Sequence, residues 1–301
     1  MTQSDIRQLI ESRLTQDGLV ETGIEGVRLF RVTAPMRCAP AVYEPCVVAI
    51  VSGAKEAILD GRHFVYDSRQ YLCCPTTLPV EAGTPQASPD NPLLGIYISL
   101  NTRVMKELAL SLETVNHHCP QPESEASQPG LSLAEWDNTF TQALFRLLDL
   151  ANDPIALTLL GDGRLRELYY AVLTGSAGPV LRQACSVSNR IARVIESVSQ
   201  HLDQPITIEA MAEQARMSRA AFHRKFRQAT GLAPMQFVKA VRLNAAAMRI
   251  AEGTPVSQAA AESGYVSSSQ FSREFKRMFG DSPKRWQQTV RLPGNAVSAI
   301  R

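Results

Sequence analysis

The chain has 301 residues, 31 Lys/Arg against 29 Asp/Glu for a formal charge of +2, and 45% hydrophobic residues. That is enough chain for two domains with separate cores, and no apolar run approaches the roughly 20 residues a membrane helix needs. The opening stretch, MTQSDIRQLIESRL, is polar and mixed in charge, unlike a secretory signal, so the expected compartment is the cytoplasm and no membrane partner is expected.

The small net charge hides an asymmetry. Residues 182–291 hold 17 Lys/Arg and 8 Asp/Glu, whereas residues 1–181 hold 13 and 21. A basic segment joined to an acidic one places any polyanion on the C-terminal part. Arginine outnumbers lysine there, and its planar fork suits phosphates and guanine edges.

In chain order, Ile6, Leu9, Ile10 and Leu14 fall at helical spacing and predict a helix over 3–16, stopped by Asp17-Gly18. Short β-rich runs follow at Val27–Thr33, Cys46–Val51, Glu56–Leu59, His63–Tyr66, Gln70–Cys74, Val80–Gly83 and Leu94–Leu100. Ser52-Gly53, Asp60-Gly61, Asp67-Ser68 and the stretch Thr84–Pro92 are turn signals, and Asp60-Gly61 between two strands marks a hairpin. Many short strands with regular turns predict a small barrel or sandwich.

Beyond residue 101 the pattern turns helical. Asn101 is placed to cap a helix running to about 115, and 117–131, polar and proline-rich, reads as an exposed loop. Ser132–Leu150, Pro154–Leu160 and Arg164–Thr174 read as helices, Gly175–Pro179 as a break, and the domain boundary falls between 175 and 187. Helices are then predicted over Ser188–Leu202, Thr207–Gln214, Ser218–Ala229, Gln236–Glu252, Ser257–Glu262 and Ser267–Phe279, with a tail over 291–301. The organisation is thus 1–180, 188–290 and the tail.

The C-terminal part repeats itself at a spacing of 49 residues. Met217–Phe237 aligns with Val266–Trp286 without a gap: Ser218, Phe222, Arg224, Phe226, Gly231 and Pro234 match Ser267, Phe271, Arg273, Phe275, Gly280 and Pro283. Upstream, Ala210, Ala212 and Glu213 match Ala259, Ala261 and Glu262. Each copy is a short helix, a turn and an amphipathic helix, which is the arrangement of a helix–turn–helix whose second helix enters a major groove. Phe222 and Phe226, and Phe271, Phe275 and Phe279, form the apolar stripes. Arg219, Ala220, His223, Arg224 and Arg227 lie on or beside the opposite face of the first copy, as Ser268, Ser269, Ser272, Arg273 and Lys276 do in the second. Ser218 and Ser267 sit where an N-cap is needed, and such a hydroxyl also reaches phosphate.

On these residues the segment 188–290 resembles the AraC/XylS family of transcription regulators. The motifs are IEAMAEQA, S-x-x-x-F-x-R-x-F, the G-x-x-P that follows, and A-x-x-x-G-Y-x-x-x-x-x-F-S-R-x-F-K-x-x-F-G-x-S-P. The resemblance implies two helix–turn–helix units joined by a long helix and reading successive major grooves of double-stranded DNA. It places Ala220, His223 and Arg224 of the first unit and Ser268, Ser269, Gln270 and Arg273 of the second at bases. Ser218, Arg219, Arg227, Ser267 and Lys276 are placed at phosphates. Ala220, Ser268 and Ser269 are small, so the first unit is expected to carry more of the specificity.

Residues 20–175 resemble the N-terminal domain of a subset of that family, through Y-E-P-C at 43–46, S-G-A-K at 52–55, Y-D at 66–67, Y-L at 71–72, L-P-V at 78–80 and A-S-P-D-N-P at 87–92. This implies a small cupin-like barrel with flanking helices that senses a small molecule or mediates dimerisation. The expected fold is therefore α+β. RNA polymerase, a small-molecule effector and a second copy of the chain are the implied partners, with activation the commoner mode. Metal-binding cupins need an H-x-H pair, but His63 is the only histidine in the strand region and His117-His118-Cys119 sits in the polar loop, so neither metal, cofactor nor catalysis is expected. Cys46, Cys73 and Cys74 read either as small core residues or as thiols that sense an electrophile or oxidant. Two alternatives stay open: a methyl-accepting DNA-repair regulator, against which the C-x7-C-x26-C-C spacing stands, and a regulator whose N-terminal domain only dimerises.

Overall fold

The computed structural model describes residues 2–116, 130–186 and 189–289. The expected tail, most of the 117–131 loop and its His117-His118-Cys119 lie outside the described residues.

Helix α1 (Gln3–Arg13) precedes nine strands: β1 (Gly18–Glu21), β2 (Val27–Val32), β3 (Met36–Tyr43), β4 (Cys46–Ser52), β5 (Ala54–Leu59), β6 (Arg62–Asp67), β7 (Gln70–Cys74), β8 (Leu78–Thr84) and β9 (Leu93–Ser99). Then come α2 (Thr102–Asn116), β10 (Ser132–Glu135), α3 (Asn138–Asp149), α4 (Pro154–Thr174) and α5 (Gly178–Cys185). The strands form two antiparallel sheets, ordered β1-β2-β9-β4-β7-β10 and β3-β8-β5-β6. One apolar layer, including Phe30, Val48, Ile50, Tyr66, Leu72 and Tyr97, fills the space between them. The outer face of the larger sheet is covered by α1, α3 and α4 through Ile6, Ile10, Phe140, Leu144, Leu147, Leu168 and Val172. Covered on both sides, β4 is buried at every residue, which explains its unbroken apolar run. Each aromatic ring in the inner layer contributes about 2–3 kcal/mol by leaving water. Tyr169 pins α4 to the sheet: its hydroxyl donates to the Ser99 carbonyl at 2.7 Å and accepts from the Asn101 amide at 3.1 Å.

The expected hairpin at Asp60-Gly61 joins β5 to β6, with Leu59 paired to Arg62 and positive φ at both turn residues (50° and 75°), as a type I′ turn requires. Asn101 accepts from the amides of Arg103 and Val104 and caps α2. Three expectations are corrected. Residues 132–135 are not helical; they add strand β10 to the edge of β7, and the helix starts only after Asp137, whose carboxylate accepts from the Phe140 amide at 2.7 Å. The two helices expected over 154–174 are one, because Gly161 is buried within α4 against Leu157 and is no break. Pro179, read as a breaker, stands in the first turn of α5, where a missing N–H costs nothing. Strand β3 went unread because Pro40 and a register shift between Met36 and Ala39 disturb its alternation, as an edge strand tolerates.

The C-terminal part comprises α6 (Arg190–Gln200), α7 (Ile208–Gln214), α8 (Arg219–Thr230), α9 (Pro234–Ala251), α10 (Val256–Glu262), α11 (Ser268–Phe279) and α12 (Pro283–Thr289). Helix α9 packs on β3 and β8, so the core of the first helical unit is continuous with the barrel layer. The second unit has its own core of Leu243, Ala246, Ile250, Ala259, Phe271 and Phe275.

Candidate nucleic-acid interface

The 49-residue repeat in sequence is a repeat in geometry. Ser218 accepts from the Ala221 amide at 3.4 Å and Ser267 from the Gln270 amide at 3.3 Å, so each reading helix starts on a serine cap. Each ends on a left-handed glycine, Gly231 at φ 82° and Gly280 at φ 81°, whose N–H closes on Arg227 and Lys276 respectively. The ring pairs Phe222–Phe226 and Phe271–Phe275 both lie 5.4 Å apart. Phe237 and Trp286, equivalent in the repeat, pack on Phe226 and Phe275 at 5.3 and 5.9 Å. These rings fix which faces of α8 and α11 are buried, and so which are left outside.

On the outer faces, all twelve residues singled out from the sequence are exposed: Ser218, Arg219, Ala220, His223, Arg224 and Arg227 about α8, and Ser267, Ser268, Ser269, Gln270, Arg273 and Lys276 about α11. Arg224, Arg227, Arg273 and Lys276 make no ion pair among the described residues. Arg219 pairs with Glu209 at 3.1 Å, but both side chains are well exposed, so the pair is weak and exchangeable. Lys225, Arg277 and Lys284 add exposed cations the sequence reading had not selected.

The sequence reading also missed what holds the units in place. Lys239 on α9 pairs with Glu274 on α11 at 3.0 Å, and the Tyr265 hydroxyl donates to the same carboxylate at 2.9 Å. Burial works to raise the Glu274 carboxyl, but hydrogen bonds from Lys239, Tyr265 and Gln270 outweigh it and hold the group below its ordinary range. Arg249 on α9 reaches Glu262 at 3.4 Å and Ser263 at 3.2 Å. Arg242 donates to the Gln204 carbonyl at 2.6 Å, which ties the loop before α7 to α9. Lys239 and Glu274, and Arg242 and Gln204, lie more than thirty residues apart, and no local signal marks those contacts.

The sequence profile of the AraC-type transcriptional regulator N-terminus matches residues 23–180, and that of a helix-turn-helix domain matches residues 211–289. The chain belongs to the AraC-type transcriptional regulators. It is accordingly a DNA-binding transcription regulator of that family, with a β-rich N-terminal domain ahead of its helix–turn–helix region. Its fold is similar to that of ToxT from Vibrio cholerae. With the unsaturated fatty acid-bound wild-type protein the TM-score is 0.53 at 11% identity, over 91% of this chain and 96% of that one. With ToxT bound to (E)-4-(8-methylnaphthalen-1-yl)but-3-enoic acid it is 0.55 at 12% identity, over 91% and 100%. The DNA-binding domain of AdpA, solved with a target DNA, is 30% identical over 34% of this chain and 93% of its own, with a TM-score of 0.33.

In this AraC-type chain Cys46, Cys73 and Cys74 of the barrel are buried. Cys74 faces the layer between the sheets and Cys73 the helix-covered side, as strand alternation requires. Burial pushes both thiols well above their ordinary range. Cys38, half-exposed near Glu56 and Glu81, is also raised, by burial first and then by those carboxylates. His63 is exposed, and among the described residues no group of three His, Cys, Asp or Glu is placed to hold a metal ion. No described helix is long and apolar enough to cross a membrane.

Proposed function

We propose that the chain binds specific double-stranded DNA with the exposed faces of α8 and α11, and that the barrel of residues 1–180 senses a small molecule and modulates that binding through α9. The observation that carries the first part is the pair of matched faces on one connecting helix. Two caps, two ring stacks and two glycine ends turn Arg224 and Arg273 outward at equivalent positions. Ala220, His223 and Arg224, with Ser268, Ser269, Gln270 and Arg273, are assigned to bases. Ser218, Arg219, Arg227, Ser267 and Lys276 are assigned to phosphates. The first unit carries more of the specificity, because two of its three base-facing side chains, His223 and Arg224, are long and polar, against two of four in the second, where Ser268 and Ser269 are small.

The second part is supported by the contact of α9 with β3 and β8 and by the likeness in fold to ToxT, whose structures hold a fatty acid and a naphthalenyl butenoic acid. Exposed Ile155, Leu159 and Leu160 on α4 offer an apolar surface for a second copy. We take the chain to be an activator that works with RNA polymerase in the cytoplasm and not an enzyme. The test is genome-wide mapping of bound sites followed by gel-shift titration at fixed salt. Binding no tighter to a mapped site than to random duplex overturns the proposal.

A further inference from the structure

Gln270 does not stand alone on its reading helix. It lies in the first turn of α11, and its carboxamide Nε2 donates to Glu274 Oε1, one turn further on, at 3.5 Å. Glu274 is itself held from the other side. Lys239 of α9 meets the same Oε1 at 3.0 Å, and the Tyr265 hydroxyl donates to Oε2 at 2.9 Å. The Glu274 side chain is 15% exposed, so it has little room to swing away. Phe271 and Phe275, the next residue after each, are buried, which leaves Gln270 and Glu274 on the margin of the outer face. The equivalent positions of the first unit are Ala221 and Lys225, so this pairing belongs to the second unit alone.

A glutamine carboxamide has a donating end and an accepting end, and a free one turns either towards a base. An ionised carboxylate only accepts. The amide nitrogen is therefore the end that faces Glu274, and half a turn of the carboxamide would set oxygen against oxygen. The bond is long and exposed in the free protein. Seating α11 in a groove removes water from around it, and a charge-assisted hydrogen bond gains strength as water leaves. What remains for the groove is the Gln270 oxygen, with the second N–H beside it. Adenine shows an amino donor at N6 next to an acceptor at N7, whereas guanine shows two acceptors and thymine an acceptor and a methyl group. An outward oxygen with one N–H beside it complements adenine at both atoms. It meets guanine O6 or thymine O4 oxygen to oxygen, and on cytosine it finds the amino group without a second partner.

We infer that Glu274 is a positioning residue that holds the Gln270 carboxamide with its oxygen outward, and that Gln270 thereby selects adenine in the half-site of the second unit. The inference rests on the reading of α11 as a groove helix, and it adds the base and the residue that fixes the choice. The full-length protein is bound to duplexes randomised across a mapped site, and the bound fraction is sequenced. Wild type is expected to favour adenine over guanine by about tenfold at one position, within the range of a bidentate contact. Gln270→Ala is expected to lose the preference at that position and keep it elsewhere. Glu274→Gln, which both donates and accepts and so no longer dictates which end turns out, is expected to narrow it to about threefold or less at the same position alone. Lys239→Met, which removes the tie to α9 but keeps the carboxylate, is expected to retain it. Folding of each variant is checked by circular dichroism. An unchanged preference in Glu274→Gln overturns the positioning role, as does a preference weakened at every position, which marks a merely structural residue. Loss of the preference in Lys239→Met overturns it too. A base other than adenine at the position that Gln270→Ala alters overturns the outward oxygen, and no altered position overturns Gln270 as a reader. No sequence preference anywhere in the wild type overturns the DNA-reading proposal itself, and is thereby distinguishable from these.

Discussion

The side-chain amide of Asn244, midway along the helix that joins the two reading units, donates to the backbone carbonyl of Val80 at 3.0 Å and to that of Ala41 at 2.9 Å. Ala41 and Val80 are register partners in β3 and β8, so one buried side chain ties both strands to α9. Asn244→Ala strips both carbonyls of this donor in a buried place. The expected loss is about 2–3 kcal/mol in urea unfolding of the full chain. A change below about 0.5 kcal/mol would show that the contact does not fasten the barrel to the connector.

Arg224 and Arg227 separate reading from anchoring. Arg224→Ala is expected to cost about 1–3 kcal/mol on a mapped operator and far less on random duplex. Arg227→Ala should weaken both, with the slope of log K against log salt reduced by about one. Equal losses on both duplexes for Arg224→Ala would remove its base-reading role.

Lys55 predicts an unusual pH dependence. Burial lowers its ammonium from 10.5 to about 7. Between those values the unfolded chain holds a proton that the folded chain has released, so this residue makes stability rise with pH across the window. Below about 7 the full penalty is present, and above 10.5 it is gone. Lys55→Met should therefore flatten the profile and stabilise the protein at pH 7 by about 2–5 kcal/mol. Chemical denaturation at pH 7 and pH 9 checks this; a destabilised Lys55→Met at both would contradict it.

Gly264 stands in the turn of the second unit at φ 79°, and a Cβ there would press on the Leu202 carbonyl and the Arg242 guanidinium. Gly264→Ala combines a disfavoured backbone conformation with a clash against main chain. A destabilisation of at least about 2 kcal/mol is expected. Because Leu202 follows α6 of the first unit, DNA affinity should fall as well, measured by fluorescence anisotropy; retention of both stability and affinity would show that this junction is soft.

Thiol chemistry gives the remaining test. Cys46, Cys73 and Cys74 are buried, and burial raises the thiols of Cys73 and Cys74. Native protein at pH 7.5 (about one unit below an ordinary thiol) should leave all three unmodified by iodoacetamide, with Cys38 labelled first among the described cysteines. Rapid alkylation of Cys73 or Cys74 in mass spectra would restore the electrophile-sensing reading.

The amino-acid sequence by itself determined the reading units. Serine cap, phenylalanine pair and terminal glycine recur at a fixed interval, and each acts within one or two helical turns, so local pattern specifies local structure. Most of the strands were legible for the same reason, since alternation and Asp60-Gly61 act over a few residues. The strand at 132–135 was not legible, because its conformation is set by the open edge of β7, some sixty residues earlier. Only the tertiary structure decided that Asn244 grips the barrel, that Glu274 is shared by Lys239 and Tyr265, and that Lys55 is sealed among aromatic rings. Each of these depends on packing between segments distant in the chain, where burial, not residue type, determines whether a polar group is an anchor or a solvated surface residue.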